Sequence, residues 1–466
     1  MYNEKIKNLP EKSKKQIIPT INILSQFITY YAPDGIKPRI NVEYDKDYEN
    51  IILAIADSET PTIYNKHSNI YACFKYFYNI FVEKELSYSY QFYKKLAKTE
   101  YVDVNISTQS SAFNVFETLN ARGTKLLQIE LVKNYLFHFL MPKNKYDRYS
   151  KKWNSMEEKL INCNINPDDY LYHVYKCFYD NKKIKTSNLY DNLKKQIVYK
   201  KDAELFFGHL TDLVDLYIKI INCDFDNVEI KFYFMYFKIK KIKVLNPVLL
   251  ALLSKKEMGL ITDKMFAKLI RGFRDFFVAY NLKRIMTNKI DNDIHQLSYD
   301  LMKEDNKNSI KTIVISYLKK DKSVYNNLHK CIEDIKYSNK KKESNIESIT
   351  LIYLFEMIFH EEYSGGYQYI DNYKNWSIEH VLNDSFKDDV TNEIGNLFPI
   401  DKNTNSNKLK SKTYSLKKDI YKNSSYTWVS NFANKYDNFT EDDVINRSKE
   451  LSAMFANIIK NNIDKL

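Results

Sequence analysis

The chain has 466 residues, a formal net charge of +12 and five scattered cysteines without a CxxC pair. This length predicts two or three domains with a sizeable core, and the positive charge favours a polyanionic partner. The cysteine pattern argues against a disulfide framework and against a structural zinc site. Because neither a secretory signal nor an apolar run of membrane-spanning length occurs, we expect a cytoplasmic protein without membrane contact.

The first patterned segment predicts a strand followed by two helices. Residues 101–107 alternate apolar and polar side chains, as a half-buried strand does. The helices are predicted from apolar residues at helical spacing on either side of a turn at 120–123: Phe113, Phe116, Leu119, Ile129, Val132, Leu136 and Phe137. Asn120, Arg122 and Lys133 are candidates for a phosphate or nucleotide contact. The alternative is a capped helix–turn–helix in which Gly123 takes a left-handed conformation.

The middle of the chain is predicted to be helical. Apolar residues recur there at helical intervals, and Pro247 precedes a leucine-rich run as the first turn of a buried helix would. The 8 glycines and 9 prolines are too few for a sheet-rich fold with many tight turns. The polar run from Ser338 to Ser344 is the best linker candidate. The predicted fold is therefore mainly α and multidomain.

The most informative stretch is WSIEHVLN, from Trp376 to Asn383, followed by IGNL and by an Asn- and Lys-rich run. An acidic residue beside a histidine, then an Asn before Leu, then a later Asn, is the order that a one-metal HNH nuclease site requires. Hydrolysis of a phosphodiester needs a base for the attacking water and a cation for the leaving oxygen. We therefore expect His380 to be the base and Glu379 to be a metal ligand.

Asparagines are expected to complete this site. Asn396 is predicted to hold the His380 ring in its productive tautomer. A later Asn would complete the shell of Mg²⁺ or of another divalent cation, such as Mn²⁺ or Ni²⁺. The alternative is that the Glu-His pair is structural and the Asn- and Lys-rich run is an ordinary loop.

Lysines crowd just after the predicted hairpin. The run contains Lys402, Lys408, Lys410, Lys412, Lys417, Lys418 and Lys422. The five expected to contact the phosphates of double-stranded DNA are Lys408, Lys410, Lys412, Lys417 and Lys418. The alternative is the solvated face of a protein that is rich in lysine throughout.

These C-terminal motifs resemble the HNH domain of GmrSD-type, modification-dependent (type IV) restriction enzymes, and the resemblance implies a small C-terminal ββα-metal element. The likeness extends to IGNLFPID, SLKKDIYKNSSY and a final TEDDVINRSKELS helix, in the family's order. By this resemblance His380 is the base and Glu379 a ligand, and Asn405 matches the second essential Asn, with Asn403 and Asn407 as alternatives. The family usually has Pro where this chain has Asn383, a departure that concerns the local turn more than the chemistry.

The N-terminal pattern FxxLNxRGxxL resembles the ParB-like domain of the same family. There it senses DNA modification and handles a nucleotide. The family's DGQQRLT motif is absent, and KPRI at Lys37 to Ile40 follows soon after a charged lead. We therefore expect a sensor domain truncated at its N-terminus and completed by a second subunit or by another copy of the chain.

The sequence thus predicts a truncated ParB-like sensor domain at 1–145, a helical middle domain at 146–337 and an HNH nuclease domain at 345–466. The expected function is that of a metal-dependent HNH DNA endonuclease in a restriction or anti-phage defence system that acts on modified foreign DNA. The alternative is a non-catalytic DNA-binding or adaptor subunit that needs a separate nucleotide-handling partner. An NTP-driven regulator is disfavoured, because both DGQQR and a GxxxxGK[ST] loop are missing.

Overall fold

The structure, a computed structural model, describes most of the chain in two compact units, Met1–Ser107 and Thr108–Leu466. The described residues are 10–12, 14–15, 29–33, 35–38, 46–57, 69–100, 127–140, 146–180, 184–338, 344–363, 369–370, 372–383, 390–410 and 412–466. The strand predicted at 101–107 and the candidates Asn120 and Arg122 lie outside them.

The first unit contains a short hairpin and helices. Its elements are β1 (Thr29–Ala32), β2 (Gly35–Pro38), α1 (Lys46–Asp57), α2 (Asn69–Val82) and α3 (Leu86–Leu96). The strands are antiparallel, and α1 packs against β2 and α2. Phe81 of α2 packs edge-on against Phe92 of α3, with ring centroids 5.1 Å apart.

The second unit begins with a long series of helices. They are α4 (Gln128–Leu140), α5 (Tyr146–Asn162), α6 (Pro167–Phe178), α7 (Leu189–Gln196), α8 (Lys200–Asp212), α9 (Val214–Asn222), α10 (Val228–Ile239), α11 (Asn246–Glu257), α12 (Asp263–Leu282), α13 (Asp291–Lys303), α14 (Lys307–Leu318), α15 (Leu328–Glu333) and α16 (Ser348–Glu362). Side-chain N-caps begin several of them; Asn227, for example, accepts from the amide of Ile230.

The core of this unit surrounds α11. Every residue from Asn246 to Lys255 is buried, and Pro247 occupies the first turn, where a missing N–H costs no intrahelical hydrogen bond. A helix that is buried on all sides needs apolar residues all round, which the leucine-rich run supplies. The prediction of a buried helix opened by Pro247 is confirmed.

The C-terminal part adds a two-stranded hairpin and more helices. The elements are β3 (Trp376–His380), β4 (Leu397–Asp401), a π-helical segment (Thr404–Leu409), α17 (Tyr414–Lys422), α18 (Thr427–Lys435) and α19 (Glu441–Asp464). Helix α16 packs against β3, β4 and α19, and α15 also packs along α19. The hairpin is therefore supported by helices that precede it and follow it in the chain.

The prediction of a mainly α protein is confirmed, because the sheets among the described residues are the two short hairpins. No helix in these residues combines the length and the apolar character that a membrane crossing requires. Helix α4, which the sequence placed in the first domain, packs against α7 and α8 of the second unit. The compact units thus divide the chain earlier than residue 145, and the three-domain division stays a prediction.

Candidate active site

The predicted pair Glu379 and His380 ends strand β3. In the antiparallel register Glu379 lies opposite Phe398, and His380 lies opposite Leu397. Successive side chains of a strand point to opposite faces, so the two groups leave the hairpin on different sides. Both are buried, with exposed fractions of 4% and 5%. A buried carboxylate must be compensated, which makes the partners of Glu379 informative.

Helix α17 supplies those partners from one face. Nζ of Lys417 lies 2.8 Å from Oε1 of Glu379, and the hydroxyl of Tyr421 donates to the same oxygen at 2.7 Å. Lys417 and Tyr421 are four residues apart and therefore adjacent on the helix surface. Burial and the Glu379 carboxylate raise the pKa of Tyr421 well above its usual value, so the hydroxyl keeps its proton. Among the described residues none donates a hydrogen bond to the other oxygen, Oε2.

Lys417 also holds the end of β3. Its Nζ donates to the carbonyl oxygens of His380 at 2.6 Å and of Val381 at 3.2 Å. The residue is 2% exposed, so its charge is directed into the hairpin. This differs from the sequence expectation, which placed Lys417 among the phosphate contacts. The sequence held one usable signal, because Lys417 and Tyr421 stand at i and i+4 on a short helix.

The His380 ring is fixed by a carbonyl that the sequence did not indicate. Its Nε2 lies 2.9 Å from the carbonyl oxygen of Tyr337, and the two rings stack with centroids 5.9 Å apart. Because a carbonyl oxygen only accepts, we assign the proton to Nε2, which makes Nδ1 the nitrogen that can take up a proton. Tyr337 is itself held by its amide, which donates to Asn392.

Asn396 does not bond to the imidazole, which corrects the predicted role. Its side chain accepts from the amide of Leu382 at 2.7 Å and donates to the carbonyls of Leu382 and Thr391 at 2.8 and 2.6 Å. Its backbone carbonyl accepts from the amide of Val381. Both N–H donors and the Oδ1 of this buried amide bond to backbone groups of Leu382 and Thr391, so Asn396 acts on the histidine only through the chain.

Helix α19 braces the turn that carries Asn396. The hydroxyl of Ser448 accepts from the amide of Gly395 at 3.0 Å, and Arg447 donates to the carbonyls of Gly395 and Leu397. Burial lowers the pKa of Arg447 to about 10. A Cβ added to Gly395 would lie 2.0 Å from the carbonyl oxygen of Val444. The glycine of IGNL is therefore needed for close packing of helix and turn.

The three candidate asparagines after β4 differ in their surroundings. Asn405 is half-buried, and its Nδ2 donates to Oγ of Ser377 at 3.0 Å and to the carbonyl of Ile378 at 3.1 Å. Asn407 and Asn403 are exposed and bond to each other at 2.6 Å. Asn405 is thus the member of the set that faces the strand carrying Glu379.

The remaining lysines of the run differ in exposure and in ion pairing. Lys408 and Lys410 are exposed, and Lys412 is half-buried. Lys418 forms an ion pair with Asp437 at 2.8 Å and donates to the carbonyl of the same residue. The sequence pattern could not separate exposed lysines from paired ones, because it gives no information on contacts between α17 and the segment after α18.

Lys133, the described member of the N-terminal candidate set, lies on α4. Its Nζ is 2.9 Å from Oε2 of Glu157 and 5.8 Å from the ring centroid of Trp153. Both partners belong to α5, so these contacts join two helices of the second unit. The predicted phosphate contact of Lys133 has no support from this arrangement.

A divalent cation would be held at this site by oxygen atoms of Glu379 and Asn405. The buried Glu379 carboxylate has one oxygen, Oε2, without a hydrogen-bond donor among the described residues, and the Asn405 amide, in the π-helical segment, bonds to Ser377 and Ile378 of the strand that carries Glu379. Carboxylate and amide oxygens suit Mg²⁺ and Mn²⁺, and Mg²⁺ needs only one or two carboxylates because it keeps several waters. Within the part of the chain that the structure describes, no three His, Cys, Asp or Glu side chains form a metal-binding group.

Two family profiles match the chain. The profile described as the GmrSD restriction endonuclease N-terminal domain matches residues 2–137, and that of the GmrSD restriction endonuclease C-terminal domain matches residues 329–454. The chain belongs to the GmrSD family of restriction endonucleases. No curated protein matches it. The C-terminal match begins before Tyr337 and ends after Ser448, so the contacts around Glu379 and His380 lie within the region that the GmrSD endonucleases share.

Proposed function

We propose that the chain is an HNH-type DNA endonuclease that cleaves modified foreign DNA with the help of a divalent cation. The observation that carries this proposal is the pairing at the end of β3. A histidine whose Nε2 is fixed by a backbone carbonyl follows a glutamate whose carboxylate has one oxygen, Oε2, that receives no hydrogen bond from the described residues. The family match supplies the restriction setting.

In this proposal His380 takes a proton from the attacking water through Nδ1. The Tyr337 carbonyl keeps the opposite ring nitrogen protonated and fixes the direction of the basic one. Glu379, through Oε2, and Asn405 would hold the cation. When bound, a divalent cation of this kind stabilises negative charge on the phosphate and on the leaving oxygen. Asn396 keeps the backbone after His380 in place and takes no part in the chemistry.

DNA is proposed to approach along the exposed lysines. Lys408 and Lys410 follow β4 in the π-helical segment and just after it, on the chain that carries Asn405. Phosphate contacts of this kind position the duplex without reading its sequence. Selection of modified DNA would then belong to the N-terminal family domain, whose pattern resembles a modification sensor.

A second candidate is a subunit that becomes active only with a partner. The observation in its favour is the burial of His380, which is 5% exposed. A base that is so enclosed needs an opening movement before water and phosphate can reach it. A partner that handles a nucleotide could supply the energy for that opening.

The test is cleavage by the purified chain. With Mg²⁺, and with plasmid DNA carrying modified or unmodified cytosine, the native chain should nick at least one substrate. His380→Ala should reduce the single-turnover rate by about 10²–10⁴-fold. His329→Gln is the control, because this histidine lies on α15 and on neither strand of the β3–β4 hairpin. Equal rates for the native chain and His380→Ala would refute the assignment, and cleavage that appears only with a partner would favour the second candidate.

A further inference from the structure

The two carboxylate oxygens of Glu379 have different contacts, and this difference bears on metal binding. One carboxylate oxygen, Oε1, receives both the Lys417 ammonium and the Tyr421 hydroxyl. The other receives no hydrogen bond from the described residues. A carboxylate that is tethered by one oxygen cannot rotate freely, so its second oxygen has a fixed direction.

The tether is built into the fold. Lys417 is 2% exposed, and the Tyr421 ring packs against Phe398 of β4, with centroids 5.2 Å apart. The packing against Phe398 holds the Tyr421 ring in place, so the hydroxyl that donates to Glu379 is anchored against the hairpin. Lys417 bonds at the same time to the carbonyls of His380 and Val381. One ammonium therefore ties the predicted ligand to the backbone of the predicted base.

We propose that Lys417 and Tyr421 are positioning residues that present Oε2 of Glu379 as a single-oxygen ligand to the catalytic cation. The proposal rests on the proposed function and adds the residues that orient its metal site. Carboxylate ligands are themselves usually hydrogen-bonded, and loss of such an outer contact typically costs 10–100-fold in metal affinity. The ammonium also balances the buried carboxylate while no cation is bound.

A rival role for Lys417 makes the opposite prediction. If its ammonium competed with the divalent cation for the carboxylate, removal of the ammonium would strengthen metal binding. If Lys417 and Tyr421 only filled space, their removal would change thermal stability and leave metal affinity unchanged. Metal affinity, measured without DNA, therefore separates the three roles.

The experiment measures Mn²⁺ binding to the full chain by electron paramagnetic resonance, together with Tm. Tyr421→Phe keeps the ring and removes the hydroxyl, and we expect its Kd for Mn²⁺ to rise about tenfold. Tyr414→Phe is the matched control, because Tyr414 lies on the same helix but donates to the carbonyl of Tyr436. Its Kd should equal that of the native chain.

Lys417→Met should raise the Kd by about 10–100-fold. Its control is Lys418→Met, which removes the same charge from the adjacent position and should leave the Kd unchanged. If Lys417→Met does not fold, Tyr421→Phe still decides the matter, because it leaves the ion pair intact. An unchanged Kd in Tyr421→Phe, or a tighter Kd in Lys417→Met, overturns the proposal. A native chain that neither binds Mn²⁺ nor nicks DNA would remove the proposed function as well, whereas normal nicking with an unchanged Kd removes only this inference.

Discussion

At the scale of single residues, Asn405 is the candidate whose replacement tests the metal site most directly. Its amide faces β3 through Ser377 and Ile378. We expect Asn405→Ala to raise the Mg²⁺ concentration needed for half-maximal cleavage by about 10–100-fold, because a weaker ligand set is filled only at higher metal concentration. Cleavage should recover in part at high Mg²⁺, which a titration of the single-turnover rate would measure.

Asn403→Ala and Asn407→Ala are the controls for that titration. These two side chains bond to each other and are exposed, so each replacement should leave the Mg²⁺ dependence close to native. If either variant shows the shift and Asn405→Ala does not, the metal ligand has been assigned to the wrong asparagine.

The residue types at the site could be predicted from the sequence, but their partners could not. Glu379 and His380 stand out because an acidic residue beside a histidine supplies the two residue types that a base and a metal ligand require. The Tyr337 carbonyl is 43 positions from His380 along the chain. Main-chain carbonyls leave no trace in a residue pattern, so such a contact is visible only in the fold. The partners of Asn396 could not be predicted for the same reason, since its side chain bonds to backbone and not to the ring.

At the scale of elements, the fit between α19 and the turn at Gly395 should dominate the stability of the hairpin. Gly395→Ala would place a methyl group 2.0 Å from the carbonyl of Val444, and the backbone must separate to admit it. We expect the free energy of unfolding to fall by about 1–3 kcal/mol or more. Chemical denaturation, monitored by circular dichroism, would measure the change.

Gly208→Ala provides the matched control. Gly208 lies inside α8, and the nearest atom to an added Cβ is 3.9 Å away. Because alanine favours a helix over glycine by about 0.5–1 kcal/mol, this variant should be as stable as the native chain or more stable. Equal destabilisation by the two replacements would mean that the contact with α19 is not what excludes a side chain from position 395.

The lysines after β4 make a separate prediction about salt. If Lys408, Lys410 and Lys412 contact phosphates, their joint replacement by Gln should make the slope of log K against log salt shallower by up to about 2.7, at about 0.9 per phosphate. Sequence preference should not change, since phosphate contacts carry none. Fluorescence anisotropy at several salt concentrations would measure the slope.

Lys418→Gln tests the distinction between exposed and paired lysines. Its ammonium already pairs with Asp437, so we expect a smaller change in slope than each exposed lysine produces. An unchanged slope in the triple variant would assign the run to an ordinary solvated surface. The sequence thus shows where the lysines occur. Which of them are exposed, paired or buried depends on contacts with neighbouring elements, and only the structure shows those contacts.

At the scale of the whole molecule, buried histidines should make stability depend on pH. Burial lowers the pKa of His173 from 6.5 to about 3, and that of His209 to about 4. Below about pH 6.5 these two histidines bind protons in the unfolded chain but not in the folded one. Their contribution to the free energy of unfolding is therefore fully present above that pH and is lost as the pH falls. His173 alone should lower the free energy of unfolding by about 2 kcal/mol as the pH falls from about 7.5 to about 5, at about 1.36 kcal/mol per pH unit.

Replacement of His173 would isolate its contribution. His173→Gln cannot titrate in this range, so its free energy of unfolding should fall less steeply with pH by about 2 kcal/mol over the same interval. Identical pH profiles for the native chain and His173→Gln would show that folding does not lower the pKa of His173.

The helical character of the chain could be predicted from the sequence, whereas the boundaries between its domains and linkers could not. Apolar residues at helical spacing and Pro247 indicated buried helices, since burial imposes that spacing. The polar run from Ser338 to Ser344 looked like a linker because polarity is typical of both linkers and short surface connections. In the structure Ser338 is buried, and its amide donates to the hydroxyl of Ser344 at 2.9 Å.

The Tyr337 carbonyl has a consequence for any attempt to excise the nuclease as an independently folding fragment. A fragment that starts at residue 345 would lack the acceptor for His380, the ion pair between Lys336 and Glu393 at 3.0 Å, and the hydrogen bond from Ser452 to Glu333. It would also expose the face of α19 that α15 covers. We therefore expect the smallest autonomous nuclease to begin before α15, which would assign to the nuclease part of what the sequence placed in the middle domain.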